Sequence, residues 1–139
     1  MPGSRRSIAE PSRRLLLPSR GFASREWFYS ACQAARIRPN VRFESTTPQT
    51  LIALAAGGYG IAVVAAGVLI PRHKVCAIPL VCRGKSVGRW RIVAWDPARF
   101  LAPYAEWFVQ ELVVYSRRNY PNRDLARRAP VLPRPKEPR

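Results

Sequence analysis

Acid is what this sequence has least of. Eight Asp and Glu stand against 24 Lys and Arg in 139 residues, and there is one histidine. Between residues 15 and 115 the only acids are Glu26, Glu44, Asp96, Glu106 and Glu111. Glu106 and Glu111 are five apart in a helical pattern, so they do not share a face and cannot work as a pair. His73 is the sole imidazole, and no serine stands in a Gly-x-Ser-x-Gly elbow. Cysteine is equally sparse: Cys32, Cys76 and Cys82 make an odd count with no CxxC, which excludes a disulfide framework and a zinc knuckle. Cys32 falls in the apolar stripe of a helix, where it reads as core. The sequence predicts no enzyme, no cofactor and no metal site. No secretory signal is visible, and a reducing cytoplasm is the expected compartment.

The basic excess is large, with a formal net charge of +16, but it is uneven. Residues 1–14 and 116–139 carry +9 of it, and the second of these segments is rich in Pro and Arg. Such tails bind phosphate without reading sequence, or are simply solvated. The middle of the chain is different. Hydrophobic residues make up 47% of the sequence, which argues for a packed core at a length suited to one domain.

One uncharged stretch, Leu51 to Ile70, is long enough on paper to cross a bilayer. Gly57, Gly58 and Gly60 cluster in its middle, so it is read as helix, turn and strand. The Gly57-Gly58-Tyr59-Gly60 run lacks a following Lys-Ser/Thr and trails a helix, so it is no phosphate loop.

Along the chain, Leu15–Leu17 predict a short buried strand stopped by Pro18. A helix follows over about Ala23 to Arg36, with Trp27, Ala31, Ala34 and Phe28, Cys32, Ala35 as its apolar stripe and Arg38-Pro39 as its end. Val41–Glu44 predict a strand with Val41 and Phe43 on one side. Thr47 as cap and Pro48 as first residue open a second helix, closed by Gly57-Gly58. Ile61–Val64 predict a third strand. Strand, helix, strand, helix, strand with short links is the pattern of a parallel α/β sheet. Beyond it, Ala65–Gly67 is a small-residue crossing, Val68–Ile70 a short helix or strand, and Cys76–Cys82 a strand interrupted by Pro79. Arg83–Gly88 reads as a turn and Arg89–Trp95 as an alternating strand. A last helix spans about Ala102 to Arg118, striped by Tyr104, Phe108, Leu112 and Tyr115.

Two junctions stand out as binding candidates, Ser19-Arg20-Gly21-Phe22-Ala23-Ser24 and Ser45-Thr46-Thr47-Pro48. Each follows the carboxyl end of a predicted parallel strand and precedes a helix N-terminus. Unpaired N–H groups and the helix dipole favour an anion there. Hydroxyls at Ser19, Ser24, Ser45, Thr46 and Thr47 add donors. Plain helix capping would explain Thr47 as well, and the residues alone leave both readings open.

The ordered series from LLLPSRGFAS through VRFES, TPQTL and GGYGIAVV, then IPL, RIVAWDP and FLAPYAEWFVQEL, resembles the effector-binding domain of LysR-type bacterial transcription regulators over about residues 14–118. The resemblance implies an α/β fold similar to type 2 periplasmic binding proteins, with one complete lobe at 14–66 and the returning part of the other at 67–118. Residues 1–13 are then a disordered lead and 119–139 a disordered basic tail. It implies ligand contacts at Ser19, Arg20, Phe22 and Thr46–Thr47, with Ser24 and Ser45 beside them and Ala66 at the hinge return, Ala65–Gly67. Family members often carry a proline near that return, and this chain has none there. The implied effector is a small organic acid. The family's helix-turn-helix is missing, so the chain reads as a truncated regulator that reaches DNA only indirectly or non-specifically, with no membrane role. Residues 68–118 would expose apolar surface, to be covered in a homodimer or by association with a full-length regulator. Two other functions fit the composition: a basic, sequence-blind nucleic-acid module using the tails with Trp90 and Trp95, and a free-standing solute-binding lobe.

Overall fold

Three consecutive leucines followed by proline leave the chain little choice at its start. In the computed structural model, which describes residues 13–89 and 92–128, they form β1 (Leu15–Pro18), buried at every position. A strand buried on both faces must be central, and the sheet order is β2-β1-β3, with β2 (Val41–Ser45) and β3 (Ile61–Ala62) both parallel to β1. Side chains alternate across a strand. Leu15 and Leu17 therefore pack with Phe28 and Cys32 of α1 (Ala23–Ala35). Leu16 faces the opposite way, towards Leu54 of α2 (Pro48–Ala56). The two helices cover opposite faces of the sheet, as two right-handed crossovers leading to opposite sides of β1 require.

The buried positions of α1 are Arg25, Phe28 and Cys32, a 3–4 spacing centred nearer the helix start than the expected stripe, and Ala34 is exposed. Phe28 lies edge-on to Tyr29, with ring centroids 5.9 Å apart. The helix ends at Arg36, in the left-handed conformation at φ 56°, whose N–H and that of Ile37 reach back to the carbonyls of Gln33 and Cys32. Arg38 and Pro39 lie beyond the stop. Val41 and Phe43 do not share a face as expected. The ladder passes from Leu15 opposite Val41 to Leu16 opposite Phe43, so Arg42 is an extra residue. This bulge turns Phe43 to the α2 side while Val41 stays in the α1-side core.

The uncharged stretch from Leu51 to Ile70 is broken as its glycines suggest. Gly57 caps α2, Gly58 turns the chain at φ 80°, and β3 begins at Ile61. No helix among the described residues is long and apolar enough to cross a membrane.

The second half departs further from expectation. Val68–Ile70 form neither helix nor strand. Of Cys76–Cys82, only β4 (Val81–Cys82) is a strand, paired antiparallel with β5 (Lys85–Ser86). Pro79 has no N–H to give a ladder. The supposed long turn is a two-residue hairpin loop, with Arg83 and Gly84 both at positive φ, the conformation that matches strand twist. The hairpin leans on α1: Leu80 packs against the core and the Cys82 thiol donates to the Ala31 carbonyl at 3.5 Å. Residues 92–95 are not a strand, and Trp90 and Arg91 lie outside the described residues. A strand needs a neighbouring backbone to pair with, and among the described residues none runs beside 92–95.

α3 (Pro103–Asn119) forms where expected, with Pro103 in its first turn and Arg117 and Arg118 in its last. Ala105, Val109 and Val113 are its half-buried positions, while Tyr104, Trp107, Phe108, Leu112 and Tyr115 are exposed. Residues 123–128 are not a loose tail but α4 (Arg123–Arg128), tied back to the chain after β3. Leu125 is buried, Asp124 pairs with Arg72 at 3.1 Å, and the Asn122 amide donates to the carbonyls of Ala66 (2.9 Å) and Val68 (2.7 Å). The rest of the expected basic tail, 129–139, and most of the expected lead, 1–12, lie outside the described residues.

Candidate functional site

β1 and β2 are adjacent, and the chain leaves their carboxyl ends towards opposite faces of the sheet. In parallel α/β sheets such a divergence is the place where a ligand crevice is expected. Its walls are the segments 19–22 and 45–47. They are tied at the base by the Ser19 N–H, which donates to the Ser45 carbonyl at 3.0 Å. The structure thus brings together two segments that lie about 25 residues apart in sequence.

Each wall ends at a helix N-terminus, and neither helix is capped by a side chain. Phe22, not a serine, takes the cap position of α1. Its carbonyl accepts from the N–H groups of Arg25 (3.0 Å) and Glu26 (3.4 Å). Glu26 in the first turn is placed to favour the helix dipole. Thr47 takes the cap position of α2, as its sequence predicts, but its hydroxyl makes no capping bond. Ser45 does the local work instead, its hydroxyl accepting from the Thr47 N–H at 3.0 Å. Capping therefore does not account for the Thr47 side chain. Thr46 and Thr47 are exposed, and Ser19, Phe22, Ser24 and Ser45 are half-buried. Arg20 is exposed and forms no salt bridge among the described residues, so its guanidinium is available to a carboxylate.

Ala66 sits apart from these. It follows β3 at the same end of the sheet, but its carbonyl is taken by Asn122, and no hydrogen bond among the described residues joins it to either wall.

Beneath the crevice lies a residue that the sequence pattern conceals. Arg25 is only 7% exposed, and its guanidinium donates to the Pro18 carbonyl at 2.8 Å and to Glu44 Oε1 at 2.8 Å. Nη2 also reaches the Tyr29 hydroxyl at 3.4 Å, and the guanidinium carbon stands 5.1 Å from that ring's centre. The hydrogen bond from Arg25 holds the Glu44 carboxyl below its ordinary range, with smaller help from the charges of Arg25 and Arg20. The same bond raises Arg25 further. In sequence Arg25 looks like any polar helix residue. Its signal is positional: it shares the 25, 28, 32 spacing of the buried face, with an acid at the end of the next strand.

A concavity of about 490 Å³ lies on the α2 face, lined by Arg14, Leu16, Arg42, Phe43, Thr50, Leu54 and Tyr59. It is not at the crevice. The strand ends differ from this shallow groove in having two helix starts without a side-chain cap and the exposed Arg20.

A family model described as "LysR substrate binding domain" matches residues 9–116. No curated protein and no solved structure matches the chain.

Proposed function

The chain belongs to the LysR substrate-binding-domain family, a domain of transcription regulators, and from that premise we propose that it senses a small organic anion in the crevice between Ser19–Ser24 and Ser45–Thr47. The observation that carries this reading is that two helices without a side-chain cap each start just beyond the carboxyl ends of two adjacent parallel strands, with Arg20 exposed there. The Thr46 and Thr47 hydroxyls and the backbone of 19–24 supply neutral donors, and Arg20 supplies the fork that pairs a carboxylate. Phe22, at the mouth, offers an apolar edge for the ligand's body. Ala66, at the hinge return, completes the set of proposed contacts from its place after β3. Binding requires neither metal nor cofactor.

In this reading the chain acts in the cytoplasm as the sensing part of a transcription regulator. The organisation is one lobe at 14–66 with a returning segment from 67 to 118. DNA is reached indirectly, or through sequence-blind phosphate contacts of the arginines. The uncovered apolar face of α3 supports association with a second copy or with a full-length regulator.

Calorimetric titration of the purified chain with acetate, benzoate, succinate and citrate tests the proposal. At least one is expected to bind, and Arg20→Ala is expected to weaken it by about tenfold or more, the loss of a charge-assisted bond. Binding that Arg20→Ala leaves unchanged refutes the site. Salt-dependent affinity for any duplex DNA, with no carboxylate binding, would favour the nucleic-acid module instead.

A further inference from the structure

A charge buried away from water must find partners or unfold its surroundings. Arg25 finds them at two special places. Pro18 is the last residue of β1, immediately before Ser19, and Glu44 immediately precedes Ser45. One guanidinium therefore clasps both strands one residue upstream of each wall of the crevice, at 2.8 Å on either side.

The Pro18 carbonyl has a further meaning. β3 pairs with the lead into β1 and β1 itself through Ile61 N–H to the Arg14 carbonyl (2.8 Å) and Val63 N–H to the Leu16 carbonyl (3.0 Å). With a two-residue repeat, the next bond would run from the Ala65 N–H to the Pro18 carbonyl. Arg25 Nη1 occupies that acceptor instead. The arginine thus ends the ladder, satisfies a carbonyl that would otherwise be buried and unpaired, and lets the chain leave β1 at Ala65.

We propose that Arg25 is a positioning residue, which locks the 19–22 and 45–47 walls at a fixed separation and so preforms the crevice. It does not touch the ligand, because it lies below the crevice floor with both terminal nitrogens engaged. Its consequence for binding rests on the effector reading above, but its effect on the walls does not. Lysine cannot replace it: a point charge on a flexible stem pairs with Glu44 or reaches Pro18, while the planar fork does both. Tyr29 contributes less, through a longer contact to Nη2, the nitrogen that also donates to Glu44.

Residue-resolved amide hydrogen exchange on the full chain, without ligand, is the test. In Arg25→Lys, the amides of Ser19, Phe22 and Thr47 are expected to exchange at least about tenfold faster than in wild type. Those of Val63 and Gly57, whose bonds lie away from the clasp, should stay within about threefold. Glu44→Gln keeps an acceptor but not the charge, and should loosen the Thr47 side alone; it also serves if Arg25→Lys folds poorly. Tyr29→Phe should leave both walls unchanged. Equal acceleration of every amide would make Arg25 an ordinary stability residue and overturn the proposal, as would unchanged walls. Succinate titration then separates the two claims. If wild type binds succinate, Arg25→Lys with Arg20 intact should bind about tenfold more weakly, and equal affinity would contradict preforming of the crevice. If wild type does not bind it, the sensing of this anion fails while the exchange result still decides the role of Arg25.

Discussion

Gly60 is the position where the smallest addition should do the most harm. A Cβ built there would stand 2.5 Å from the Arg14 carbonyl oxygen and 3.2 Å from the Leu16 side chain. The first contact is with backbone, which cannot swing aside, and that same oxygen accepts the Ile61 N–H at 2.8 Å. Gly60→Ala must therefore push β3 from β1. The bond from Ile61 and the neighbouring one from Val63 are each worth about 1 kcal/mol net. Overpacking against Leu16 adds about 1–3 kcal/mol. The expected loss is about 3–5 kcal/mol, a large part of the ~5–15 kcal/mol that a domain of this size commands. Gly58 is the control. It needs φ 80°, but open space surrounds its Cβ position, so Gly58→Ala should cost only the backbone strain, about 1–2 kcal/mol. Urea unfolding followed by far-UV circular dichroism gives both values from the midpoints at constant slope. If Gly60→Ala is no more destabilising than Gly58→Ala, the close packing of β3 on β1 is wrong.

Other consequences follow from burial and charge. Leu17→Ala removes a wholly buried side chain from the α1-side core and should cost about 2–5 kcal/mol, whereas Leu69→Ala, at 78% exposure, should stay within about 0.5 kcal/mol in the same urea assay. The Glu44 carboxyl is lowered in the folded state, so its stabilising share is full above the ordinary glutamate range. That share is lost as pH falls through the folded value; Glu44→Gln should flatten the acid limb of a stability–pH curve, and an unchanged limb would contradict the Arg25–Glu44 pair. Burial raises the Cys32 thiol, helped by the nearby Cys82, while Cys76 is exposed. A thiol reagent at mildly alkaline pH should label Cys76 fast and Cys32 only on unfolding, and mass spectrometry of digests reads the order.

The first half of the chain was legible because its patterns are local. Leu15–Leu17 can only be a buried strand, Thr47-Pro48 can only start a helix well, and the Gly57–Gly60 cluster must turn. These features settle three parallel strands and the two strand-to-helix junctions. What the sequence hid depends on geometry between elements. The bulge at Arg42 is invisible to a period of two, and it reversed the face of Phe43. Arg25 carries no local signal of burial, because its partners, a carbonyl and an acid, lie in other segments. The second half misled for a different reason. The alternation in Arg89–Trp95 is a strand's, but alternation records which face would be buried and does not supply a partner. Ile92, Val93 and Trp95 remain exposed, and among the described residues no strand pairs with them. The reverse error occurred after Tyr120, where a Pro/Arg-rich composition concealed a helix held by Leu125, Asp124 and Asn122.

The central claim is that ligand enters between the walls at the ends of β1 and β2. Amide chemical-shift mapping during titration with benzoate tests it most directly. The account predicts perturbations clustered at Arg20–Ser24 and Ser45–Gln49, absent in Arg20→Ala. Perturbations centred on Arg42, Thr50 and Tyr59, the groove on the α2 face, would contradict it and move the binding site to the other side of the sheet.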